Sequence, residues 1–317
     1  MSQELFVGVD AGGTRTRLVL GNRMGELLDR VQGGPGNFQR LGAVALGSLI
    51  EDLLGQVRLI STPVVLCAGV AGAGRVPEQM ALQQELEGRQ LAGRILVVSD
   101  ARAALEGAHG GAEGIVCIAG TGSMVLGRNA AGEEARAGGW GPVLGDEGSA
   151  YALVLEGVRG ALRAVDGSGT GTQLQQDLLE ALGLADWKDI IAAVYGEGLS
   201  RERLAEACPA VFAAARAGDR VAIDVIDAGG RALGAQVAAV ARRLRLAAPV
   251  AVAGAGGVFA EMDRLRAPMA EGAARVAVQL GPPQLPAHLG ALLLSLREAG
   301  VSLPDAALSR WALPYEA

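Results

Sequence analysis

Several residue types that carry common kinds of chemistry are scarce in this sequence of 317 residues. It contains one lysine, Lys188, and two histidines, His109 and His288. A nucleotide-binding P-loop requires a lysine within a Gly-x-x-x-x-Gly-Lys-Ser/Thr segment, and no such segment surrounds Lys188. The residues beside Lys188 do not resemble the strand lysine of protein kinases either. Two histidines so far apart argue against a zinc centre built from several histidines.

Cysteine is also sparse, and negative charges outnumber positive ones. Cys67, Cys117 and Cys208 include no Cys-x-x-Cys pair, and each lies among apolar residues, as small buried side chains do in a reducing compartment. The formal net charge is −6, so no basic field for nucleic acid or anionic lipid is evident. The apolar runs are too short to cross a bilayer, and no secretory signal pattern is present. We therefore expect a soluble, cytoplasmic protein without a nucleic-acid or membrane partner.

Glycine, by contrast, is abundant, with 48 residues grouped in short clusters between apolar segments. The apolar segments alternate between short strand-like runs and helical patterns, and this alternation predicts an α/β fold with a parallel or mixed sheet. The longer helical patterns include 39–56, 200–217 and 288–299.

The strand pattern repeats itself near the middle of the chain. Val19-Leu20-Gly21 follows a glycine-rich strand and turn and leads into a Gly-Glu turn, and Val125-Leu126-Gly127 does the same about 106 residues later. Two such matches in register predict a duplicated hairpin unit.

Each copy of the hairpin contains a small glycine turn with hydroxyl side chains. In the first, Asp10–Thr16, backbone N–H groups and threonine hydroxyls could hold phosphate oxygens, and the carboxylate of Asp10 could hold Mg²⁺ through water. The alternative is an ordinary hairpin turn, and these residues alone do not separate the two. Gly120-Thr121-Gly122-Ser123 occupies the equivalent place in the second copy. The pairing favours two turns that hold one oligophosphate from both sides.

Asp100 follows the apolar run 95–99 and precedes a helical pattern. A carboxylate at the carboxyl end of a buried strand lies where α/β folds usually place their ligands. Asp100 could equally be the N-cap of the helix, because aspartate is among the best N-cap residues. Its position does not decide between these roles.

An unusual glycine-rich string spans residues 138–149 and contains Trp140, Asp146 and Glu147. The face of a tryptophan suits the face of a sugar ring, and carboxylates accept hydrogen bonds from hydroxyls. We favour a binding loop over a structural loop with Trp140 as a core plug and Asp146 as a helix cap.

Two further segments are candidate contacts. Asn37 is either a ligand contact or a turn residue. The glycine-rich backbone of 253–257 suits close approach to a base or ribose.

These motifs together resemble the actin-like ATPase superfamily, which includes sugar kinases and chaperone ATPases. Asp10–Thr16 resembles its phosphate-1 motif, 118–123 its phosphate-2 motif, and 252–257 its adenosine motif. More narrowly, Gly139-Trp140-Gly141 followed by Gly145-Asp146-Glu147-Gly148-Ser149 is similar to N-acetylglucosamine kinases and the wider BadF/BadG-type group. The sequence departs from the pattern at Ala11, where glycine is usual, and at Arg15, where lysine is frequent.

The resemblance implies two RNase H-like domains with an interdomain cleft that holds ATP, Mg²⁺ and sugar. We expect an N-terminal domain at 1–112, a C-terminal domain at 113–288, and a segment at 289–317 that packs back on the N-terminal domain. By position, Asp100 matches the catalytic base of these kinases. The expected cofactor-binding residues are Asp10 (also the Mg²⁺ site), Gly12, Gly13, Thr14, Thr16, Gly120, Thr121, Gly122, Ser123, Gly254, Gly256 and Gly257. The expected sugar-binding residues are Asn37, Asp100, Gly139, Trp140, Gly141 and Asp146.

The function predicted on this basis is transfer of the ATP γ-phosphoryl group to a sugar hydroxyl, expected to be the 6-OH of N-acetylglucosamine or a related amino-hexose, by a homodimer. One alternative from the same group is an ATPase that activates a 2-hydroxyacyl-CoA dehydratase, which needs cysteines able to ligate an iron–sulfur cluster. Another is a sugar-sensing repressor, which would carry an N-terminal helix-turn-helix. ROK kinases are disfavoured because their cysteine-rich zinc motif is absent.

Overall fold

In the computed structural model, residues 4–196 and 198–311 are described, and they form ten strands and twelve α-helices. The strands are β1 (Leu5–Ala11), β2 (Thr16–Asn22), β3 (Leu27–Gly33), β4 (Val65–Val70), β5 (Arg94–Ser99), β6 (Gly114–Ala119), β7 (Ser123–Arg128), β8 (Glu134–Gly138), β9 (Val250–Ala255) and β10 (Val278–Gly281). The helices are α1 (Phe38–Leu54), α2 (Val76–Gly88), α3 (Asp100–Ala108), α4 (Ala150–Val165), α5 (Leu174–Leu182), α6 (Ile190–Tyr195), α7 (Arg201–Glu206), α8 (Cys208–Arg216), α9 (Arg220–Leu244), α10 (Met262–Ala273), α11 (Ala287–Glu298) and α12 (Asp305–Trp311).

The strands form two five-stranded mixed sheets with the same internal order. The first sheet runs β3-β2-β1-β4-β5 and the second runs β8-β7-β6-β9-β10. In each, the central strand pairs antiparallel with the next strand of its hairpin and parallel with the strand on its other side. The α/β fold and the duplicated hairpin predicted from the sequence are confirmed.

The glycines of the two Val-Leu-Gly matches occupy equivalent places, each beneath a helix. A Cβ on Gly21 would lie 3.0 Å from the side chain of Leu292 in α11. A Cβ on Gly127 would lie 2.7 Å from the side chain of Val240 in α9. The repeat in the sequence therefore marks the place where each sheet accepts its covering helix.

The chain divides into two units, each built on one sheet. The first comprises the described residues up to Glu113 together with those from Pro283 onward, and the second is Gly114–Pro282. The domain boundaries expected at 112/113 and 288/289 stay predictions. The contacts within the structure group 283–288 with the first unit. Residues 312–317 of the expected third segment lie outside the described residues.

The core of the first unit lies on both faces of its sheet. Side chains of α1 and α2 pack on one face, and those of α11 and α3 pack on the other. Helix α11 approaches closely because three glycines remove obstructing side chains. A Cβ on Gly8 would overlap the backbone of α11, one on Gly290 would overlap the carbonyl of Ala103 in α3, and one on Gly107 would lie 2.8 Å from the carbonyl of Leu285.

Two helices differ from the sequence prediction. The pattern at 200–217 is two helices, α7 and α8, because Pro209 lies in the first turn of α8 and cannot continue the hydrogen-bond ladder of the helix before it. The pattern at 39–56 holds one helix over 38–54, but Gly42 has a φ of 70° and interrupts it. Helix α10 was not predicted from the sequence, although Leu265, Met269 and Ala273 recur at helical spacing, nor were the short elements β8, α6 and β10.

Across the described residues, no helix combines the length and the apolarity that a membrane span requires.

Candidate active site

The first glycine turn joins β1 to β2 and is tied to a neighbouring loop. The N–H of Gly12 donates to the carbonyl of Arg15 at 2.9 Å, which closes the turn. The N–H of Gly36 donates to the carbonyl of Gly12 at 2.8 Å. The turn and the loop before α1 are thereby held together.

The side chains of this turn differ in exposure. Gly13 and Thr14 are exposed, so their backbone N–H groups and the threonine hydroxyl are accessible. Thr16 is fully buried, and its Oγ1 has no hydrogen-bond partner among the described residues. Of the two threonines expected at phosphate, Thr14 is therefore the one that a ligand can reach from solvent.

Strand register brings Asp10 and Asp100 to the same edge of the first sheet. Asp10 pairs with Gly69 of β4, and Gly69 pairs with Val98 of β5, two residues before Asp100. A Cβ on Gly69 would lie 2.5 Å from Cβ of Ala103, so the glycine permits the close packing of α3. The carboxyl ends of three parallel strands thus gather two carboxylates.

The two carboxylates have raised pKa values for related reasons. Burial and the neighbouring charge of Asp100 raise the pKa of Asp10 to about 6, against a partial opposing effect of Arg17 and Arg15. Burial raises the pKa of Asp100, and a hydrogen bond of 2.9 Å from the N–H of Ala101 to its Oδ1 opposes this. A group that binds its proton more tightly than usual is suited to accept one from a hydroxyl.

The N-cap of α3 is Ser99 and not Asp100. The Oγ of Ser99 accepts a hydrogen bond of 3.2 Å from the N–H of Arg102, while Asp100 lies in the first turn of the helix. Asp100 is half-buried, so part of its surface stays accessible. The capping role considered for Asp100 thus belongs to its neighbour.

Asn37 caps α1 and belongs to a group of connected loops. Its Oδ1 accepts from the N–H of Gln39 at 2.9 Å. The side chain of Gln39 donates to the carbonyl of Gly72 at 2.8 Å, and the N–H of Phe38 donates to the carbonyl of Ala71 at 2.8 Å. The cap uses only the amide oxygen of Asn37, which leaves its Nδ2 to donate to another group.

The second glycine turn lies between β6 and β7. The N–H of Gly120 donates to the carbonyl of Gly122 at 2.9 Å, and the carbonyl of Gly120 accepts from the N–H of Ala150 at 2.8 Å. Ser123 is buried, and its Oγ donates to the carbonyl of Glu147 at 2.8 Å. The serine therefore joins the turn to the 138–149 loop, while Thr121 stays half-buried at the tip.

The glycines at the end of β9 lie against the second turn. A Cβ on Gly256, whose φ is +97°, would overlap the carbonyl of Ala119 and lie 3.0 Å from the backbone nitrogen of Gly120. A Cβ on Gly254 would overlap the ring of Phe259. The structure thereby brings the expected phosphate-2 and adenosine motifs into contact within the second unit.

Trp140 lies on the surface of the 138–149 loop. It is 66% exposed, so it is not a core plug. The guanidinium of Arg136 stacks over its ring at 5.0 Å from the centroid. Gly139 and Gly141 on either side have φ values of +70° and +85°, which other residues rarely adopt. The loop thus presents an aromatic face on a backbone that needs glycine.

Asp146, in contrast, is buried and paired. Its φ is +64°, and its Oδ2 accepts a hydrogen bond of 2.5 Å from Nη2 of Arg201. The N-cap of α4 is Ser149, whose Oγ accepts from the N–H of Ala152 at 3.1 Å, so Asp146 is not that cap. The pairing with Arg201, 55 residues away, has no signal in the sequence.

A metal ion would find few protein ligands here. The described residues contain no group of three or more histidine, cysteine, aspartate or glutamate side chains arranged to hold an ion. Mg²⁺ commonly keeps several waters and binds one or two carboxylates together with substrate phosphates. The half-buried oxygens of Asp10, close to a second carboxylate, fit that mode of binding.

The sequence-predicted site residues therefore fall into two groups. Asp10, Gly12, Gly13, Thr14, Thr16, Asn37 and Asp100 lie in the first unit. Gly120–Ser123, Gly139–Gly141, Asp146, Gly254, Gly256 and Gly257 lie in the second. Sequence analysis missed Arg201. It also missed Gln236, whose Nε2 donates to Glu147 at 3.1 Å.

Several proteins of known sequence resemble this chain over most of its length. It is 32% identical over 265 residues to the N-acetylmuramic acid/N-acetylglucosamine kinase of Clostridium acetobutylicum, which covers 82% of this chain and 87% of the relative. It is 31% identical over 263 residues to the N-acetyl-D-glucosamine kinase of Dictyostelium discoideum, which covers 78% and 82%.

Solved structures share the fold. A Chromobacterium violaceum protein described as an N-acetylglucosamine kinase superposes with a TM-score of 0.75 at 28% identity and covers 93% of this chain and 99% of its own. A ROK-family glucokinase from Streptomyces griseus, solved with glucose and AMPPNP, has a TM-score of 0.56 at 19% identity over 92% of this chain and 98% of its own. The two mixed sheets are those of the actin-like ATPase sugar kinases.

The family model that matches this sequence spans residues 7–295, almost the whole of the two units. The glycine turns, the paired carboxylates and the 138–149 loop all lie within the matched range. The chain belongs to the BadF/BadG/BcrA/BcrD ATPase family.

Proposed function

We propose that this protein is an ATP-dependent sugar kinase that transfers the γ-phosphoryl group of ATP to the 6-OH of N-acetylglucosamine or a related amino-hexose. The relatives from Clostridium acetobutylicum and Dictyostelium discoideum, whose names give kinase activity on N-acetylglucosamine, support the activity and the class of acceptor. Phosphoryl transfer depends on positioning and charge neutralisation more than on covalent chemistry by the protein.

The observation that carries the proposal is the state of Asp100. Its carboxylate lies at the carboxyl end of β5, a half-buried edge strand, is not the cap of its helix, and has a raised pKa through burial. We assign it the role of orienting the acceptor hydroxyl and taking its proton as the bond to phosphorus forms. No sulfur or amine nucleophile is needed, since the hydroxyl attacks the γ-phosphorus directly and ADP leaves.

The neighbouring groups have supporting roles in this proposal. Asp10 would hold Mg²⁺ through water, and the ion would neutralise charge on the phosphate oxygens. The exposed backbone of Gly13 and Thr14, and the turn at Gly120–Ser123, supply N–H donors to phosphate. Gly257, where an added Cβ would meet no atom within 4 Å, leaves bare backbone for the adenosine, and Gly254 and Gly256 shape the turn beside it.

The acceptor side rests on two features. The exposed ring of Trp140 offers an apolar face to the pyranose ring, and the Nδ2 of Asn37 supplies a donor to a sugar hydroxyl. We also propose Asp146 as a sugar-binding residue, in a role that leaves its hydrogen bond with Arg201 intact.

A coupled ADP-release assay across a panel of sugars tests the proposal. The panel contains N-acetylglucosamine, N-acetylmuramic acid, glucosamine, glucose and 6-deoxy-N-acetylglucosamine, with a no-sugar control for idle ATPase activity. We expect sugar-dependent ADP release with an amino-hexose and none with the 6-deoxy analogue. ADP release that is independent of every sugar would overturn the proposal.

The dehydratase-activator alternative finds no support in the cysteines. All three are buried free thiols. Burial raises the pKa of Cys117 and Cys208 to about 12 and that of Cys67 further still. Because metal-ligating cysteine must be a thiolate, these environments oppose cluster ligation.

We also propose that the kinase is a cytoplasmic homodimer. Light scattering coupled to size-exclusion chromatography measures the mass in solution, and a mass of one chain would contradict the dimer. Cell fractionation measures the location.

A further inference from the structure

Arg201, the first residue of α7, lies beside the second glycine turn. A Cβ placed on Gly122 would lie 2.5 Å from Nη2 of Arg201 and 2.9 Å from Oδ2 of Asp146. The guanidinium carbon lies 5.8 Å from the centroid of the Tyr151 ring. The backbone of Gly122 and the side chains of Asp146 and Tyr151 therefore surround the guanidinium.

The hydrogen bonds of Arg201 are incomplete. A guanidinium has five N–H donors. One Nη2 donor meets Oδ2 of Asp146 at 2.5 Å, and Nε is buried with no partner among the described residues. A buried donor without an acceptor costs about 1–3 kcal/mol. The geometry thus holds an arginine beside the turn and leaves it short of an acceptor.

The charges around the turn show which acceptor fits. Gly120-Thr121-Gly122-Ser123 contains no charged side chain, so an anion held there by backbone N–H groups alone would be incompletely neutralised. The side chain of Asp146 is 5% exposed, and that of Arg201 is 34% exposed. Part of the arginine side chain therefore stays accessible while the carboxylate holds Nη2. Guanidinium groups bind phosphate through two parallel N–H donors.

We propose that Arg201 is a phosphate-binding residue, fixed by Asp146 and Tyr151 beside the Gly120–Ser123 turn, whose terminal guanidinium N–H groups that Asp146 does not engage donate to oxygens of the ATP phosphates. This rests on the proposed function only in taking ATP as the ligand. A purely structural role would make Arg201 the counter-ion of the buried carboxylate and nothing more. The two roles differ in which substrate the residue affects.

The test compares Arg201→Ala and Arg201→Lys with Arg203→Ala in the full-length protein. Arg203 is a matched control on the same helix, where its side chain bonds Glu206 at 3.2 Å and the carbonyl of Ala181 at 3.0 Å. Titration calorimetry measures the Kd of MgATP without sugar, and steady-state kinetics measure KM for ATP and for the sugar. Melting curves report folding.

We expect Arg201→Ala to weaken ATP binding about 10- to 100-fold, the effect of losing a charge-assisted hydrogen bond. The KM for sugar should change less than that for ATP. Arg201→Lys keeps the positive charge but loses the paired N–H donors of the guanidinium, so it should weaken ATP binding less than Arg201→Ala does. Arg203→Ala should bind ATP as the wild type does. Added salt should weaken ATP binding less in Arg201→Ala than in wild type, because one interacting charge is gone.

Unchanged ATP affinity in a folded Arg201→Ala protein, or a rise confined to the sugar KM, would overturn the assignment. If Arg201→Ala does not fold, the same comparison is made with Arg201→Lys. Its Kd for MgATP and its KM for the sugar then test the assignment. If the wild type binds ATP but phosphorylates no sugar, the proposed kinase function is wrong. The Kd of MgATP in wild type and Arg201→Ala would still test whether Arg201 binds phosphate.

Discussion

Ser99 caps helix α3 through a hydrogen bond of 3.2 Å from the backbone N–H of Arg102, and so frees its neighbour Asp100 from a capping role. The same division occurs in the second unit, where Ser149 caps α4 and Asp146 lies before it. In both places a serine caps the helix, and the nearby aspartate is not that cap. This separation allows the two roles to be tested independently.

Asp100→Asn should lower kcat about 10²- to 10⁴-fold, because the amide cannot accept the hydroxyl proton. Binding of the sugar, measured by calorimetry, should be nearly unchanged. Ser99→Ala is the matched control. It should cost about 1 kcal/mol of unfolding free energy through loss of the cap and leave kcat close to wild type. A near-normal kcat for Asp100→Asn would remove Asp100 from the mechanism.

The pH dependence of kcat/KM should have an acidic limb above the ordinary aspartate range. The proposed mechanism requires both carboxylates to be ionised, and their pKa values are raised, with that of Asp10 at about 6. Activity should therefore rise with pH through about 6. The two groups titrate as a pair, and the limb reports the pair rather than either residue. A limb near pH 4 would contradict the raised values.

Asp10→Asn should stabilise the protein at high pH and not at low pH. The folded-state pKa of Asp10 is about 6, against an ordinary value of 3.8, so the folded state binds the proton more tightly. That contribution to stability is present below 3.8 and is lost as pH rises through about 6. Urea unfolding without nucleotide or divalent cation should give a gain of up to about 3 kcal/mol at pH 8. An equal effect at pH 4 would contradict this cause.

Trp140→Ala should raise the KM for sugar without changing stability. The ring is 66% exposed, so its removal opens no cavity in the core. Loss of about 1 kcal/mol of ring contact corresponds to roughly a fivefold rise in KM. Val143→Ala is a control on the same loop, since Val143 is 90% exposed. A sugar KM that rises equally in both variants would show a general effect of the loop.

Gly290→Ala should destabilise the first unit. An added Cβ would overlap the carbonyl of Ala103, where α11 and α3 are in backbone contact. We expect a loss of at least about 1–3 kcal/mol by urea unfolding. Gly88→Ala, also in a helix but with no atom within 4 Å of the added Cβ, should be neutral or stabilising. Equal stability of the two variants would contradict the close packing of α11.

The parts of the fold that were predictable are those with local signals. Alternating apolar runs give the strands, and the repeated Val-Leu-Gly segments give the duplication. The break at Ala207 was not found, although Pro209 could have signalled it. Helix α10 was also missed, although Leu265, Met269 and Ala273 recur at helical spacing. The short elements β8, α6 and β10 depend on packing within their unit, which so few residues do not record.

The sequence by itself determined the residue types in each turn and the resemblance carried by 139–151, because these depend on neighbours along the chain. Only the tertiary structure decided what the side chains do. Parallel strand register brings Asp10 to Asp100, and the fold of the second unit pairs Asp146 with Arg201 across 55 residues. Partners so distant along the chain are chosen by packing in three dimensions, and no local pattern records them.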